Sequence, residues 1–361
     1  MKFGVSIATH IARTDLAVTA EQLGFDSFWG TDSQMLWSDV YSYLALAAER
    51  TERIQLGTAV AVAPTRLAPV TAQSIATINR LAPGRSRLGL GTAHTAMRTM
   101  GRAPMRAAEF AEYVRVVAEL LRTGETVYGP EDDRQPIRFL QPEFDGIRLD
   151  PAIPLFVSAT GPRGQRLAGR YGDGVMANNL GSTMPAVRQN VAAGFAERDG
   201  GEPASFDYLF LSAVAVAEPG EPLTSDRMVH AMGPQVLSMY HMAWDGWVLD
   251  PDNYQPPPAL AYDWQKYLDR MRQRFDEQNI PADRQYLSIH DLHGTYVAED
   301  EREFVTPEVL RSYAIVGEAD EVADRLRQLA EAGITEVIIR LGFTDAEAMM
   351  RRLAPVVDSL R

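Results

Sequence analysis

The side chains best suited to chemistry are few and widely spaced. The densest pair is His290 and His293, in the run Leu287-Ser288-Ile289-His290-Asp291-Leu292-His293. On a helix, spacing of three puts both imidazoles on one side, where they could share zinc. In a strand they would face opposite ways. No third ligand is recognisable nearby, so the expectation is no metal, with the pair lining a substrate pocket or packing structurally. His94 follows the small, glycine-rich run GLGTAH, where a flat ring could lie against the backbone. Its reference pKa is near operating pH, making it the candidate for moving a proton; the plainer alternative is an exposed histidine beside a tightly packed strand. Asp32 ends a hydrophobic strand and could orient a substrate or cofactor, or cap the next helix. His10 and Trp37 are pocket candidates, with core or structural packing as the alternative. Ser158-Ala159-Thr160-Gly161-Pro162-Arg163 combines two hydroxyls, a glycine allowing close backbone approach, and a proline suited to a first helical turn. Such a turn aims free N–H groups at a phosphate, or is an ordinary strand-to-helix connection.

These residues fall at the ends of short apolar runs that alternate with amphipathic helical patterns. Strands are predicted over Lys2 to Ala8, Phe25 to Gly30, Ile54 to Val60, Ser86 to Gly91, Ile153 to Ser158, Gly174 to Asn178, Tyr208 to Ala217 and Ile334 to Leu341. Helical patterns follow each, including Thr14 to Leu23 closed by Gly24, and Glu321 to Ala332 closed by Gly333. Eight such units imply parallel pairing through right-handed crossovers and closure into an α/β (β/α)8 TIM barrel, with an open doubly wound sheet as the alternative. The rhythm breaks twice, at about 124–150 and about 218–316, after strands four and seven. The first break reads as a hairpin or loop insertion. The second holds helices around Leu237 and Trp264 and a strand-like piece from Tyr286 to Val297. One barrel domain over 1–361 is the expected organisation. Reactive residues in such barrels lie beyond the strands' carboxyl ends. These are Thr9-His10, Asp32-Ser33, Val60 to Pro64, Gly91-Thr92, the Ser158 to Arg163 turn and Asn178-Asn179.

Composition removes several classes. The 361 residues are 46% hydrophobic, enough for a large core. Thirty-five Lys and Arg against 48 Asp and Glu give a net charge of −13, which disfavours nucleic acid. There is no cysteine, hence no disulfide, thiolate metal site or Cys nucleophile, and a reducing cytoplasm is the expected location. The first residues read as a strand rather than a signal peptide, and no apolar run approaches the roughly 20 residues of a membrane span.

Four stretches carry a family resemblance: TDSQMLWSDVY, LGTAVAVAPTR, APGRSRLGLGTA and VSATGPRGQRLAGRYGDGVM. Together they resemble the bacterial luciferase-like superfamily, within it the branch using the 5-deazaflavin coenzyme F420, and there the methylenetetrahydromethanopterin reductase-like proteins. The similarity covers most of 1–215 and resumes at VGEADEVADRLRQLAEAGITEVII. It implies that Asp32 lies beside the deazaflavin ring with Ser33, and that a non-prolyl cis peptide joins Ala59 and Val60 in a bulge behind that ring. It further implies that Gly91, Thr92 and His94 line the cofactor, and that Ser158, Ala159, Thr160, Gly161, Pro162 and Arg163 form the phosphate turn, with Asn178 nearby. Two positions depart from the pattern. A sugar-oxidising relative has His in place of Ser33 and Glu in place of His94, although Trp37 matches it. His94 also replaces an acidic residue of the reductase-like branch.

The resemblance therefore implies an oxidoreductase moving hydride between F420 and a small organic substrate, with His94 and Asp32 at the chemistry and Arg163, Arg166 and Arg98 as cations for the acidic tail. An FMN-dependent monooxygenase using oxygen and a non-catalytic flavin-binding protein are the alternatives. A homodimer and a cofactor-reducing partner enzyme are further implications of the resemblance.

Overall fold

In the computed structural model the described residues are 1–92, 94–178, 180 and 183–361, with the backbone but not the side chain of Pro142. Asn179 lies outside them. Among the described residues eleven strands are seen: β1 Lys2–Ala8, β2 Ser27–Thr31, β3 Gln55–Val62, β4 Ser86–Gly91, β5 Glu125–Tyr128, β6 Gln135–Arg138, β7 Leu155–Ser158, β8 Gly174–Ala177, β9 Asp207–Val216, β10 Ala314–Gly317 and β11 Glu336–Arg340. The helices are α1 Asp15–Gln22, α2 Val40–Arg50, α3 Ala68–Leu81, α4 His94–Thr99, α5 Ala107–Thr123, α6 Pro162–Tyr171, α7 Met184–Phe195, α8 Asp226–Leu249, α9 Trp264–Glu277, α10 Gln285–His290, α11 Pro307–Tyr313, α12 Ala319–Glu331 and α13 Ala346–Asp358.

Eight of the strands close a parallel ring in the order β1-β2-β3-β4-β7-β8-β9-β11, which is the expected TIM barrel. The β5–β6 hairpin occupies the first predicted interruption. Two expectations need correction. The strand-like piece from Tyr286 to Val297 is α10 followed by turns. Ile289, His290 and His293 are buried and Tyr286 is half-buried, at i+3, i+4, i+7 and i, which is helical spacing, so burial favours the helix over a strand. The stretch ending at Val316 also contains β10, a ninth parallel strand paired with Ala213 to Val216 of β9.

By internal contacts the chain forms two compact units: 1–93, 103–211 and 329–338 in the first, and 94–102, 212–328 and 339–361 in the second. In the first, Trp29, Ala59, Phe156, Met176, Leu209 and Ile338 form a buried cluster, with Val60 and Leu211 packed against it. Burying each large side chain there contributes about 1.5–3 kcal/mol. At the amino ends of three strands the interior is polar instead. Arg87 Nη1 lies 2.5 Å from Glu336 Oε2, and Ser27 Oγ donates to Glu336 Oε1 at 2.5 Å. Trp29 Nε1 donates to Ser27 Oγ at 2.6 Å, and the Arg87 guanidinium stacks 4.9 Å from the Trp29 ring. A Cβ on Gly4 would stand 2.1 Å from Ser27 Oγ, so the cluster needs glycine there.

The second unit is built around α8. Ser225 caps it by accepting from the Met228 N–H, and its apolar face carries Met228, Met232, Val236 and Tyr240. Tyr240 packs 4.8 Å from Tyr267 of α9, whose ring meets Phe304 at 5.2 Å.

Candidate active site

In the first unit Asp32 follows β2 and is almost fully buried. Its Oδ2 accepts from the Val62 N–H at 2.9 Å and from Arg66 Nη1 at 2.6 Å, while Oδ1 accepts from Gln34 Nε2 at 2.7 Å. Arg66 reaches on to Asp39 at 2.9 Å and lies over the Tyr41 ring. The carboxylate is thus a charged tie between the ends of β2 and β3. It is not a free base: its charge is compensated by a guanidinium, and its oxygens are occupied by donors.

The peptide bond joining Ala59 and Val60 is cis, where the resemblance implied it. The pairing of β3 with β4 shifts register between Thr58 and Ala61, which is a bulge. That bulge presses on β4. A Cβ on Gly89 would sit 2.3 Å from the Thr58 carbonyl, and one on Gly91 would sit 2.6 Å from Val60 Cγ2. Close approach to β3 therefore explains Gly89 and Gly91 in the GLGTAH run.

The Ser158 to Arg163 segment joins β7 to α6. Gly161 is the N-cap of α6, no side chain caps the helix, and Pro162 opens its first turn. The Arg163 and Gly164 N–H groups lie within that turn, whose first amides have no partner inside the helix. A Cβ on Gly161 would meet nothing within 4 Å, whereas one on Gly164 would meet Ala159 Cβ at 2.7 Å. The turn is tight behind and open in front. Arg163 is exposed and makes no ion pair among the described residues, while Arg166 is paired with Glu197. Ser33 is buried, Trp37 half-buried, and His10 and Asn178 are exposed. A cavity of about 830 Å³, lined by Arg66, Tyr113, Tyr128 and Arg170 among others, includes Pro64 but not Asp32, Ser33 or the Ser158 to Arg163 turn.

In the second unit His94 opens α4, and its Nε2 lies 3.2 Å from Asp245 Oδ2. The same oxygen is 3.1 Å from His290 Nε2. His241 Nε2 faces Glu301 Oε1 at 2.9 Å, and Tyr267 Oη donates to that oxygen at 3.1 Å. His241 Nδ1 is 2.8 Å from His293 Nδ1, which is 3.2 Å from His290 Nδ1. Burial would raise the Asp245 carboxyl, but its bonds to His290 and His94 outweigh this and hold it at about 2. Burial likewise opposes ionisation of Glu301, yet His241 and Arg274 bring it to about 2. Burial pushes His293 well below the usual histidine range and His290 below it.

Two features here correct the sequence reading. His290 and His293 do have a third nitrogen beside them, from His241, 49 residues earlier. His94 also has a buried carboxylate oxygen, Asp245 Oδ2, within 3.2 Å of its Nε2. Arg66 and Asp245 were not singled out, and the pairing of His241 and Glu301 with the other histidines was not foreseen. Only His241 and Asp245 left a local signal, lying four apart on one helix; the other partnerships span distant parts of the chain.

The model of the luciferase-like monooxygenase family matches residues 1–336. The chain belongs to that family. Membership places it among oxidoreductases. The 5,10-methylenetetrahydromethanopterin reductase of Archaeoglobus fulgidus is 26% identical over 348 residues, 94% of this chain and 92% of the relative. The F420-dependent glucose-6-phosphate dehydrogenase of Beutenbergia cavernae is 36% identical over 176 residues, but this match spans only 49% of that relative. Among solved structures, the coenzyme F420-dependent tetrahydromethanopterin reductase of Methanopyrus kandleri superposes with a TM-score of 0.68 at 19% identity, covering 100% of this chain and 99% of that one. An F420-dependent secondary alcohol dehydrogenase in complex with an F420-acetone adduct gives 0.64 at 18%, with the same coverage. At those identities the likeness shows the fold.

Proposed function

We propose that this family member is a coenzyme F420-dependent oxidoreductase transferring hydride between the deazaflavin and a small organic substrate. The observation that carries the reading lies in the first unit, where the uncapped α6 N-terminus stands with open space over Gly161. A phosphodiester fits that end: the free amides donate to it, the helix dipole favours its charge, and exposed Arg163 adds a cation. The β3 bulge, held against Gly89 and Gly91 and tied to Asp32 through Val62, supplies a rigid backbone wall for a flat ring. The names of the reductase and dehydrogenase relatives support F420 as the ligand. When bound, the deazaflavin supplies two-electron hydride chemistry.

The chain's own tasks are then to hold the tail, seat the ring and manage one proton. Asp32, paired with Arg66, holds the ends of β2 and β3 in position rather than exchanging a proton. His94, which follows β4 along the chain, is the group we assign to the proton, with Asp245 orienting its imidazole. Ser33 cannot take that role, because a serine hydroxyl is a poor base near neutral pH.

Parallel titrations with F420 and FMN, read through the fluorescence of the five tryptophans, test the cofactor. F420 should quench with a saturating curve. Saturation by FMN with no response to F420 would replace this reading with an FMN-dependent one. His94→Gln should bind F420 as the parent does but lose turnover across a panel of alcohols, sugars and reduced pterins. Full turnover would remove His94 from the chemistry.

A further inference from the structure

We propose that His241, His290 and His293 form a three-imidazole site for a divalent first-row metal ion of the zinc class, bound through their Nδ1 atoms. All three are buried, and their ligand nitrogens lie within 4.8 Å of one another. The case rests on how the rings are placed. The Nε2 of His241 faces Glu301 Oε1 at 2.9 Å and the Nε2 of His290 faces Asp245 Oδ2 at 3.1 Å, so both rings turn their far nitrogen to a carboxylate. Their Nδ1 atoms turn the other way, to the Nδ1 of His293, 2.8 and 3.2 Å away. The Nε2 of His293 has Thr95 Oγ1 at 3.5 Å. A single hydrogen on His293 Nδ1 cannot serve both neighbouring nitrogens well.

A cation at their focus removes that conflict. Tetrahedral zinc, with Zn–N bonds of about 2.0–2.1 Å, separates its ligand nitrogens by about 3.3 Å, close to the 2.8 and 3.2 Å that part His293 Nδ1 from its two neighbours. The outer partners also suit a metal. A ligating histidine commonly passes its far N–H to a carboxylate, which fixes the tautomer and makes the ligand more basic. Here two of the three rings do so. Local charge permits an added cation: Asp245, Glu301 and Asp300 outnumber Arg274 and Arg340 near the cluster. Imidazole nitrogen selects zinc, copper, nickel or iron over magnesium or calcium. The ion would clip the end of α10 and the turn after it onto α8. Through His290 it would also hold Asp245, and hence His94, in one orientation.

The test uses untagged full-length protein, stripped with a chelator and titrated with Co²⁺ and then Zn²⁺. One Co²⁺ per chain should bind with the intense visible bands of a tetrahedral site, Zn²⁺ should displace it, and either ion should raise the thermal midpoint. Glu301→Gln, which keeps all three ligands, should weaken Co²⁺ binding about 10- to 100-fold. His293→Gln should abolish the bands, and His230→Gln, at an exposed histidine elsewhere on α8, should leave them intact. If the parent protein binds no stoichiometric Co²⁺, or if its bands survive in His293→Gln, the proposal fails. The parent titration decides even where a variant does not fold.

Discussion

At the scale of single residues, the α6 N-terminus separates a binding role from a folding role with unusual clarity. Gly161 has an ordinary extended backbone (φ −111°), and its Cβ position is open. Gly161→Ala should therefore leave stability within about 1 kcal/mol of the parent, since only a weak N-cap preference is lost. A ligand phosphate against that backbone would meet the new methyl. F420 affinity should fall about tenfold, or about 1.4 kcal/mol. Unchanged affinity in a calorimetric titration would show that nothing approaches the glycine. Asp32 illustrates the opposite case. Its position at a strand end was legible, but its partner Arg66 was not, because pairing across 34 residues depends on how β2 and β3 lie together.

At the scale of elements, side chains from one segment hold the backbone of the next. The Glu21 carboxylate on α1 accepts from the Glu52, Arg53 and Ile54 N–H groups, fixing the approach to β3. Partial burial opposes its ionisation, but these backbone bonds lower its pKa below the ordinary value. The unfolded chain therefore binds more protons wherever pH lies between the depressed folded value and the unfolded one near 4.3. The contribution is fully present above that unfolded value and is lost as pH falls through the folded one. Glu21→Ala should cost about 1 kcal/mol at pH 7. The gap between parent and variant in urea melts should close below about pH 4; a gap that stays constant down to pH 3 would contradict this. The helix α10 shows where local reading fails. Its apolar residues fit a strand as well as a helix, and the choice falls to the buried His290 and His293.

At the scale of the whole molecule, the buried Arg87–Glu336 pair joins β4 to β11, which are 249 positions apart. It sits at the strands' amino ends, the face that in such barrels serves stability rather than catalysis. Removing one partner strands the other in the interior. Glu336→Gln should lower unfolding stability by about 3–5 kcal/mol, nearer the lower figure because Arg87 also reaches Asp207. Equilibrium denaturation at an unchanged denaturant slope is the measurement, and a loss under about 1 kcal/mol would mean that water or Asp207 replaces the glutamate.

The sequence by itself determined the alternation of strand and helix, the eight-stranded barrel, the hairpin after α5 and the glycine-proline turn before α6. Each of these is written in periodicity and in nearby residues, so a local reading reaches it. It also placed Asp32 and His94 at strand ends. Only the tertiary structure decided what those two residues touch. Arg66 neutralises Asp32, and Asp245 joins His94 to a cluster of three further histidines. The same holds for His241, which turned an isolated pair into three converging nitrogens. Hydrogen bonds and charge pairs act over about 3 Å in space and leave no trace in chain separation. The pairing of side chains 30 to 300 residues apart therefore becomes visible only once the chain has folded.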